Sequence, residues 1–294
     1  MTRIGIVGGG RAATLHAEAA LAAPGVDLVG VGGRPGTAGP LTEAARVPDL
    51  SLEDLAARAE GLVIAVAADA AEEVVDRLPP DLPLLVESPV HLTAARATAM
   101  TAANLLHATT VKQGLRAIAD LGEAHHLALR GRAIRREHAT DLFAEPFAGA
   151  WPVMLMAAAG AAVSISATRR GHQATADVTI SDGRSMRASL EWVESGPDGY
   201  TSTSFTELEA ASATGVVNIG LWPLPTLDLD GRPVAAADDH PLVALGFIEQ
   251  MRRFAAVCDG RSEPWPPLGV GIGVTSLTRA AGLSVAEGGG PVAV

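Results

Sequence analysis

The sequence predicts an α/β chain of two domains, an N-terminal Rossmann domain with a parallel sheet followed by an α+β domain with a mainly antiparallel open sheet. Three observations carry this prediction. From Arg3 to about Val111, short apolar runs rich in β-branched residues alternate with Ala-, Leu- and Glu-rich helical stretches, the grammar of parallel strands covered on both faces. Beyond that region the pattern changes to longer polar-apolar alternations joined by turn residues, which marks antiparallel strands. The 294 residues, 48% of them hydrophobic, are enough for two buried cores.

In chain order, "RIGIVG", "VDLVGVG", "GLVIAVA" and "LPLLVES" read as strands with helices between them. Residues 1–113 are assigned to the dinucleotide-binding domain and 114–294 to a substrate and oligomerisation domain. The stretch from Glu145 to Arg169 carries no charge between those two residues and has roughly the length of a membrane span. Pro152 and Gly160 interrupt it, however, and it divides into a helix "PVMLMAAAG" and a strand "AVSISAT". "ADVTI", the turn "SDG" and "RSMRASLEWVE" read as a hairpin. "TSTSFTELEA" and "TGVVNIG" supply further strands. "HPLVALGFIEQMRRFAAVCDG" and "VGIGVTSLTRAAGLSVAEG" show helical periodicity ending at Gly, and the tail "EGGGPVAV" is expected to be loose.

Charge and cysteine content narrow the partners. A formal net charge of -11 repels phosphate backbones and anionic lipid, so neither nucleic acid nor a membrane is an expected partner. Cys258 is the only cysteine, which excludes an internal disulfide and a Cys-based zinc site and suits a reducing compartment. Met1-Thr2-Arg3 runs directly into the first strand without a signal-peptide pattern, and the expected location is the cytoplasm. Histidines and carboxylates never recur at a ligand spacing such as H-x-x-x-H, so no metal is expected.

Chemistry first appears in "IGIVGGGRAATLHAEAAL". Gly8, Gly10 and Ala13 stand in a G-x-G-x-x-A spacing after a strand and at a helix start, with Arg11 opening the helix. Gly8 permits the tight turn, Gly10 lets backbone approach a pyrophosphate, and Ala13 permits close helix packing. About twenty residues further on, NAD-preferring proteins place an acid on the ribose diol. Here "GVGGRPG" puts Gly33 in that place, followed by Arg34. The missing carboxylate removes a preference for NAD, and Arg34 is suited to a 2′-phosphate through its fork of donors. The expected cofactor is therefore NADP, with NAD as the other option. A solvated loop arginine is the competing reading of Arg34.

These residues, with "VESPVHLTAARATAM" and the terminal "FIEQMRRFAAVCDGR" and "VGIGVTSLTRAAGLSVAEGGGPV", resemble the Gfo/Idh/MocA oxidoreductases over nearly the whole chain. The resemblance implies a Rossmann domain, an open antiparallel sheet that often mediates homodimers or homotetramers, and an active site between the domains. It also implies a Glu-Lys-Pro motif whose lysine assists proton transfer. Glu87 and Pro89 match and are assigned to the cofactor site, but the lysine position is Ser88. The family's Thr-Pro turn near the nicotinamide becomes Val66-Ala67. The Gly-x-His-x-x-Asp run aligns with "GAWPVM", so Gly149 keeps the glycine while Trp151 and Met154 replace the catalytic His and the substrate-binding Asp.

A serine hydroxyl cannot stabilise a developing alkoxide as an ammonium can. The remaining proton-transfer candidates are Ser88 itself, Lys112, which is the sole lysine, and His91. A surface role for Lys112 and a capping or packing role for His91 compete with that reading. The run Glu-x-Pro-x-His ending at His91 is similar to a subgroup that reduces thiazoline imines in siderophore assembly. His107 and the pair His125-His126 are further imidazoles near the domain junction. Trp151 and Met154 are expected either to wall a hydrophobic substrate pocket or to seal a disused cleft. The sequence thus points to an NADPH-preferring reductase of a small apolar carbonyl or imine. The alternative is a catalytically lapsed or repurposed non-redox member, a binding protein or a lyase or cyclase, on the same fold.

Overall fold

The computed structural model describes residues 1–33, 38–92, 96–122, 124–135, 143, 147–193, 204–236 and 240–294. The chain begins with β1 (Thr2–Val7), α1 (Arg11–Ala22), β2 (Val26–Gly32), α2 (Gly39–Ala45), β3 (Asp49–Leu50), α3 (Leu52–Arg58), β4 (Gly61–Ile64), α4 (Ala68–Asp76), β5 (Leu84–Glu87) and β6 (Ala99–Ala102). A 3-10 turn at Asn104–His107 leads to α5 (Thr109–Asp120), β7 (His126–Ile134), α6 (Ala150–Ala158), β8 (Ala162–Arg170), β9 (Gln173–Ile180) and β10 (Ser185–Val193). Next come β11 (Phe205–Ser212), β12 (Gly215–Trp222), β13 (Thr226–Leu229), β14 (Arg232–Ala236), α7 (Pro241–Ala244), α8 (Phe247–Cys258), α9 (Leu268–Ala286) and β15 (Pro291–Ala293).

Among the described residues, six strands form a parallel sheet in the order β3-β2-β1-β4-β5-β6. The strand order reverses between β1 and β4, the topological switch point at which such sheets bind ligands. Nine strands form the second sheet, ordered β14-β13-β12-β11-β7-β10-β9-β8-β15. Among the described residues, only the β7 and β10 pair within it is parallel. Both sheets agree with the expected α/β and α+β halves. The short β3 and β6 add strands that their few residues did not announce.

By packing, the chain divides into a unit of Met1–His107 with Gly246–Ile272 and a unit of Ala108–Leu245 with Gly273–Val294. Helix α8, which follows residue 113 in sequence, therefore belongs with the first sheet. Its Met251, Phe254 and Ala255 pack in one cluster with Ala13, Ala17 and Ala20 of α1 and Ile4 and Ile6 of β1. Gly61 makes this close seating possible, because a Cβ there would collide with Cys258 and with the Phe254 ring. Cys258 itself is partly buried, and desolvation, with the nearby Asp259 carboxylate, pushes its thiol up to about 12.

In the second unit the β9-β10 hairpin forms as expected, with Gly183 at φ 89° in its turn. Gly114 lets α5 lie on the sheet, since a Cβ there would press into the Ile219 side chain. The uncharged stretch before Arg169 divides into α6 and β8, as its Pro and Gly suggest. The periodic run at 240–259 is interrupted into α7 and α8 by Gly246 at φ 81°. The C-terminal stretch, expected to be loose, instead forms β15 along the edge of β8. Ser284 of α9 fastens this edge: its Oγ accepts the Ala167 N–H at 2.8 Å and donates to the Gly290 carbonyl. Helix α9 is long and apolar enough to cross a membrane by length and composition, with 44% of that stretch buried.

Two outcomes follow from this packing. Phe254→Ala should destabilise the first unit by about 3–5 kcal/mol, read as a lower midpoint in urea unfolding. With its ionisation pushed far above neutrality, Cys258 should react with an aromatic disulfide reagent only in denaturant; rapid labelling of the native protein at pH 8 would contradict the burial.

Candidate functional site

A cleft of about 480 Å³ opens at the carboxyl ends of the parallel strands, lined by Val7 and the turn Gly8-Gly9-Gly10, by Gly33, and by Ala65, Val66 and Ala67. The turn is held by geometry that only glycine satisfies. Gly8 sits at φ 135°, and a Cβ there would collide with the Ala65 carbonyl oxygen. Its N–H donates to the Gly32 carbonyl at 2.7 Å, so the turn is tied to β2 on one side and pressed on β4 on the other. At Gly10 the opposite holds: a Cβ would meet nothing within 4 Å, which leaves the helix start open to the cleft.

Helix α1 begins at Arg11 with Gly10 as N-cap, no side-chain cap and no acidic residue in its first turn. Its first N–H groups therefore lack a side-chain acceptor, and the positive end of the helix dipole faces open space. Ala13 is fully buried against the sheet, the close packing expected of the third position in the motif. An uncapped helix, a glycine with free space above it and a turn pinned to two strands fit a pyrophosphate. Gly33 is exposed at the end of β2 and brings no carboxylate. Arg34 lies outside the described residues.

The segment that departs from the family pattern ends β5. Glu87 closes the strand, and the Ser88-Pro89 bond is cis. Ser88 Oγ is buried with no hydrogen-bond partner among the described residues, a group that has lost water without replacing it. Glu87 is not idle: its Oε2 lies 2.7 Å from Nε2 of His16, whose side chain is wholly buried. The neutral imidazole carrying its proton on Nε2 can donate to the carboxylate, a tautomer inferred from this contact. The Phe247 ring meets the His16 ring edge-on, with centroids 5.7 Å apart. His16 was not among the sequence candidates. Its spacing from Ala13, Ala17 and Ala20 signals it, since these positions put it on the buried face of α1, where a polar ring needs a partner.

The other candidates are placed as follows. His91 is exposed, two residues beyond Pro89. His107 is buried with its ring edge-on to Trp265, centroids 5.1 Å apart. Lys112 is half-buried in α5 of the second unit. His125 and His126 are both exposed, and only His126 is in a strand, with Nε2 3.5 Å from Glu209. Trp151 and Met154 lie in α6, which starts after Gly149 as the aligned motif requires. Both are fully buried, and the Trp151 Nε1-H donates to the Phe143 carbonyl at 2.7 Å. They thus form core and offer no surface to a substrate in this structure. Among the described residues, no group of three or more His, Cys, Asp or Glu is arranged to hold a metal ion.

The turn geometry gives a direct test. If the turn holds a dinucleotide, Gly8→Ala should abolish its binding, read by nicotinamide fluorescence, because the added methyl must displace the end of β4. Gly10→Ala, which meets no protein atom, should leave the fold intact in thermal unfolding yet weaken binding by about tenfold or more; unchanged binding would separate the turn from the ligand.

No protein-family model matches the sequence, and no curated protein matches it either. Solved structures match the fold closely at low identity. GenD2 from gentamicin A biosynthesis, solved with NAD, is 19% identical with a TM-score of 0.80, over 100% of this chain and 96% of that one. UDP-N-acetylglucosamine 3-dehydrogenase GnnA from Acidithiobacillus ferrooxidans is 15% identical with a TM-score of 0.77, over 97% of this chain and 98% of that one. Myo-inositol dehydrogenase from Lactobacillus casei, solved with NAD(H) and myo-inositol, is 12% identical with a TM-score of 0.78, over 100% and 97%. The chain therefore has the fold of the Gfo/Idh/MocA-type dehydrogenases.

Proposed function

We propose that this protein is a cytoplasmic NAD(P)-dependent oxidoreductase of the Gfo/Idh/MocA type that prefers NADPH and reduces a small apolar carbonyl or imine. The observation that carries the reading is the open cleft beneath the Gly8–Gly10 turn, where an uncapped helix start meets free space above Gly10. A dinucleotide with its pyrophosphate there satisfies the first N–H groups of α1. Preference for NADPH rests on Gly33, which leaves the β2 end without the acid that would hold a ribose diol, and on the Arg34 that follows it in sequence.

A bound nicotinamide supplies the hydride, so the chain has to orient its partner and manage one proton. Val66 and Ala67 line the cleft where the family turn approaches the nicotinamide. Glu87 and Pro89 shape the end of β5, with the Glu87 carboxylate held by His16. Ser88 stands at the aligned lysine position with its hydroxyl unpartnered among the described residues, and we assign it the donor role towards a substrate atom. An uncharged donor of this kind suits an imine, which can arrive already protonated, better than a carbonyl that becomes an alkoxide. His91 and Lys112 stand as the proton-transfer alternatives.

The second reading, a non-redox or lapsed member on the same scaffold, draws on three aligned working positions that carry no charge here. Ser88 replaces the lysine, and Trp151 and Met154, both fully buried, replace the His and Asp. We also propose assembly as a homodimer or homotetramer through the sheet of the second unit, on the strength of the family resemblance; a monomer mass by light scattering would refute it.

Titration with NADPH and with NADH, followed by nicotinamide fluorescence, tests the leading reading. NADPH should bind at least about tenfold tighter, and Arg34→Ala should remove most of that difference, since a charge-assisted bond is worth about 1.5–3 kcal/mol. Binding of neither cofactor would refute the oxidoreductase. Tight NADPH binding without oxidation by any aldehyde, ketone or cyclic imine in a panel would favour the second reading.

A further inference from the structure

The cleft under the glycine turn extends past Gly33 to the start of α3 and the end of α4, where Leu52, Glu73, Val74 and Arg77 line it. Arg77 is the one cation among these described lining residues. It caps the C-terminal end of α4, and its Nη2 donates to Oε1 of Glu53 at 2.6 Å. Glu53 lies in the first turn of α3, adjacent to Leu52. The guanidinium holds the Glu53 carboxyl below the usual carboxylate range, chiefly through this hydrogen bond. Both side chains are more than half exposed, at 52% and 69%, and an exposed pair of this kind adds little to stability.

The position of the pair is more informative than its strength. In a Rossmann sheet the adenosine ribose lies at the end of the second strand, where a carboxylate or an arginine from that strand decides between hydroxyl and phosphate. Here the described end of β2 is Gly33, which offers neither. The charged residues that line this wall are Glu73 of α4 and Arg77 at its C-cap, and Glu53 of α3 is bonded to Arg77. Arg77 uses one N–H on Glu53, which leaves the rest of its donor fork available to an acceptor in the cleft. Glu73 also lines this wall, and its charge opposes a phosphate, so Arg77 alone sets the sign expected below.

We infer that Arg77, held by Glu53, reads the 2′ position of the adenosine ribose by taking a 2′-phosphate. This rests on the dinucleotide reading above and deepens it: specificity is set from α3 and α4, in addition to whatever the residue after Gly33 contributes. Glu53 holds the guanidinium in place while competing with phosphate for it. Removing each partner therefore shifts cofactor preference in opposite directions.

The test uses the full chain and its R77A, R77K and E53Q variants, titrated with NADPH and NADH by nicotinamide fluorescence, with thermal unfolding confirming that each variant is folded. R77A should weaken NADPH by about tenfold or more and change NADH by less than about twofold. R77K should recover only part of the loss, because an ammonium lacks the fork. E53Q should tighten NADPH, by freeing Arg77 for the phosphate, and change NADH by less than about twofold. Equal weakening of both cofactors by R77A, the result of adenine stacking or a loosened helix, would overturn the inference, as would no change in either. If the wild-type protein binds neither cofactor, the dinucleotide reading fails and takes this inference with it. If it binds both and R77A leaves their ratio unchanged, the inference alone fails.

Discussion

The candidate site depends on one close approach, the backbone of Gly8 lying against the Ala65 carbonyl where β1 and β4 end side by side. No side chain larger than hydrogen fits there, and no other residue type tolerates its positive φ. The contact closes the turn tightly enough for α1 to start directly above the strand ends. From that follow the direction of the helix, the aim of its first N–H groups and the cleft beneath them. The neighbouring Gly32 carbonyl, taken by the Gly8 N–H, extends the same constraint to β2. The floor of the cleft is thus made of three strand ends held together by backbone.

A second fastening lies beside it and has a different character. His16 of α1 and Glu87 of β5 meet through a partly buried hydrogen bond, tying the helix that starts above the glycine turn to the strand that leads into Ser88. A buried imidazole facing a carboxylate is costly to leave unpaired, so each partner constrains the other. Glu87 is thus accounted for without invoking catalysis: it has a partner in the core.

Much of this was legible in the sequence. The parallel strands β1, β2, β4 and β5, the β9-β10 hairpin and the division of the uncharged stretch into α6 and β8 all follow from periodicity and from Gly and Pro. The glycine turn was legible because its spacing maps onto backbone conformation, and Gly8 adopts the conformation expected. Less legible was anything decided by distant packing. The C-terminal "PVAV" has too few residues to declare a strand, and it becomes one only because the edge of β8 and the Ser284 hydroxyl await it. Trp151 and Met154 could be aligned with working residues, but only burial reveals that they serve the core. His16 and the Glu53-Arg77 pair were missed for the same reason: their partners are 71 and 24 residues away in sequence.

The return of α8 to the first unit has a consequence for how the chain must be made. Ribosomal synthesis delivers β1 to β6 first, yet the helix that covers α1 and the inner edge of β4 arrives only with residues 247–258. The whole described part of the second sheet except β15 is produced in the interval. During that time the alanine-lined face of α1 and the Gly61 gap stand uncovered, and their closure has to wait for a segment encoded late. The first unit therefore cannot be completed until a segment encoded after most of the second sheet has been synthesised.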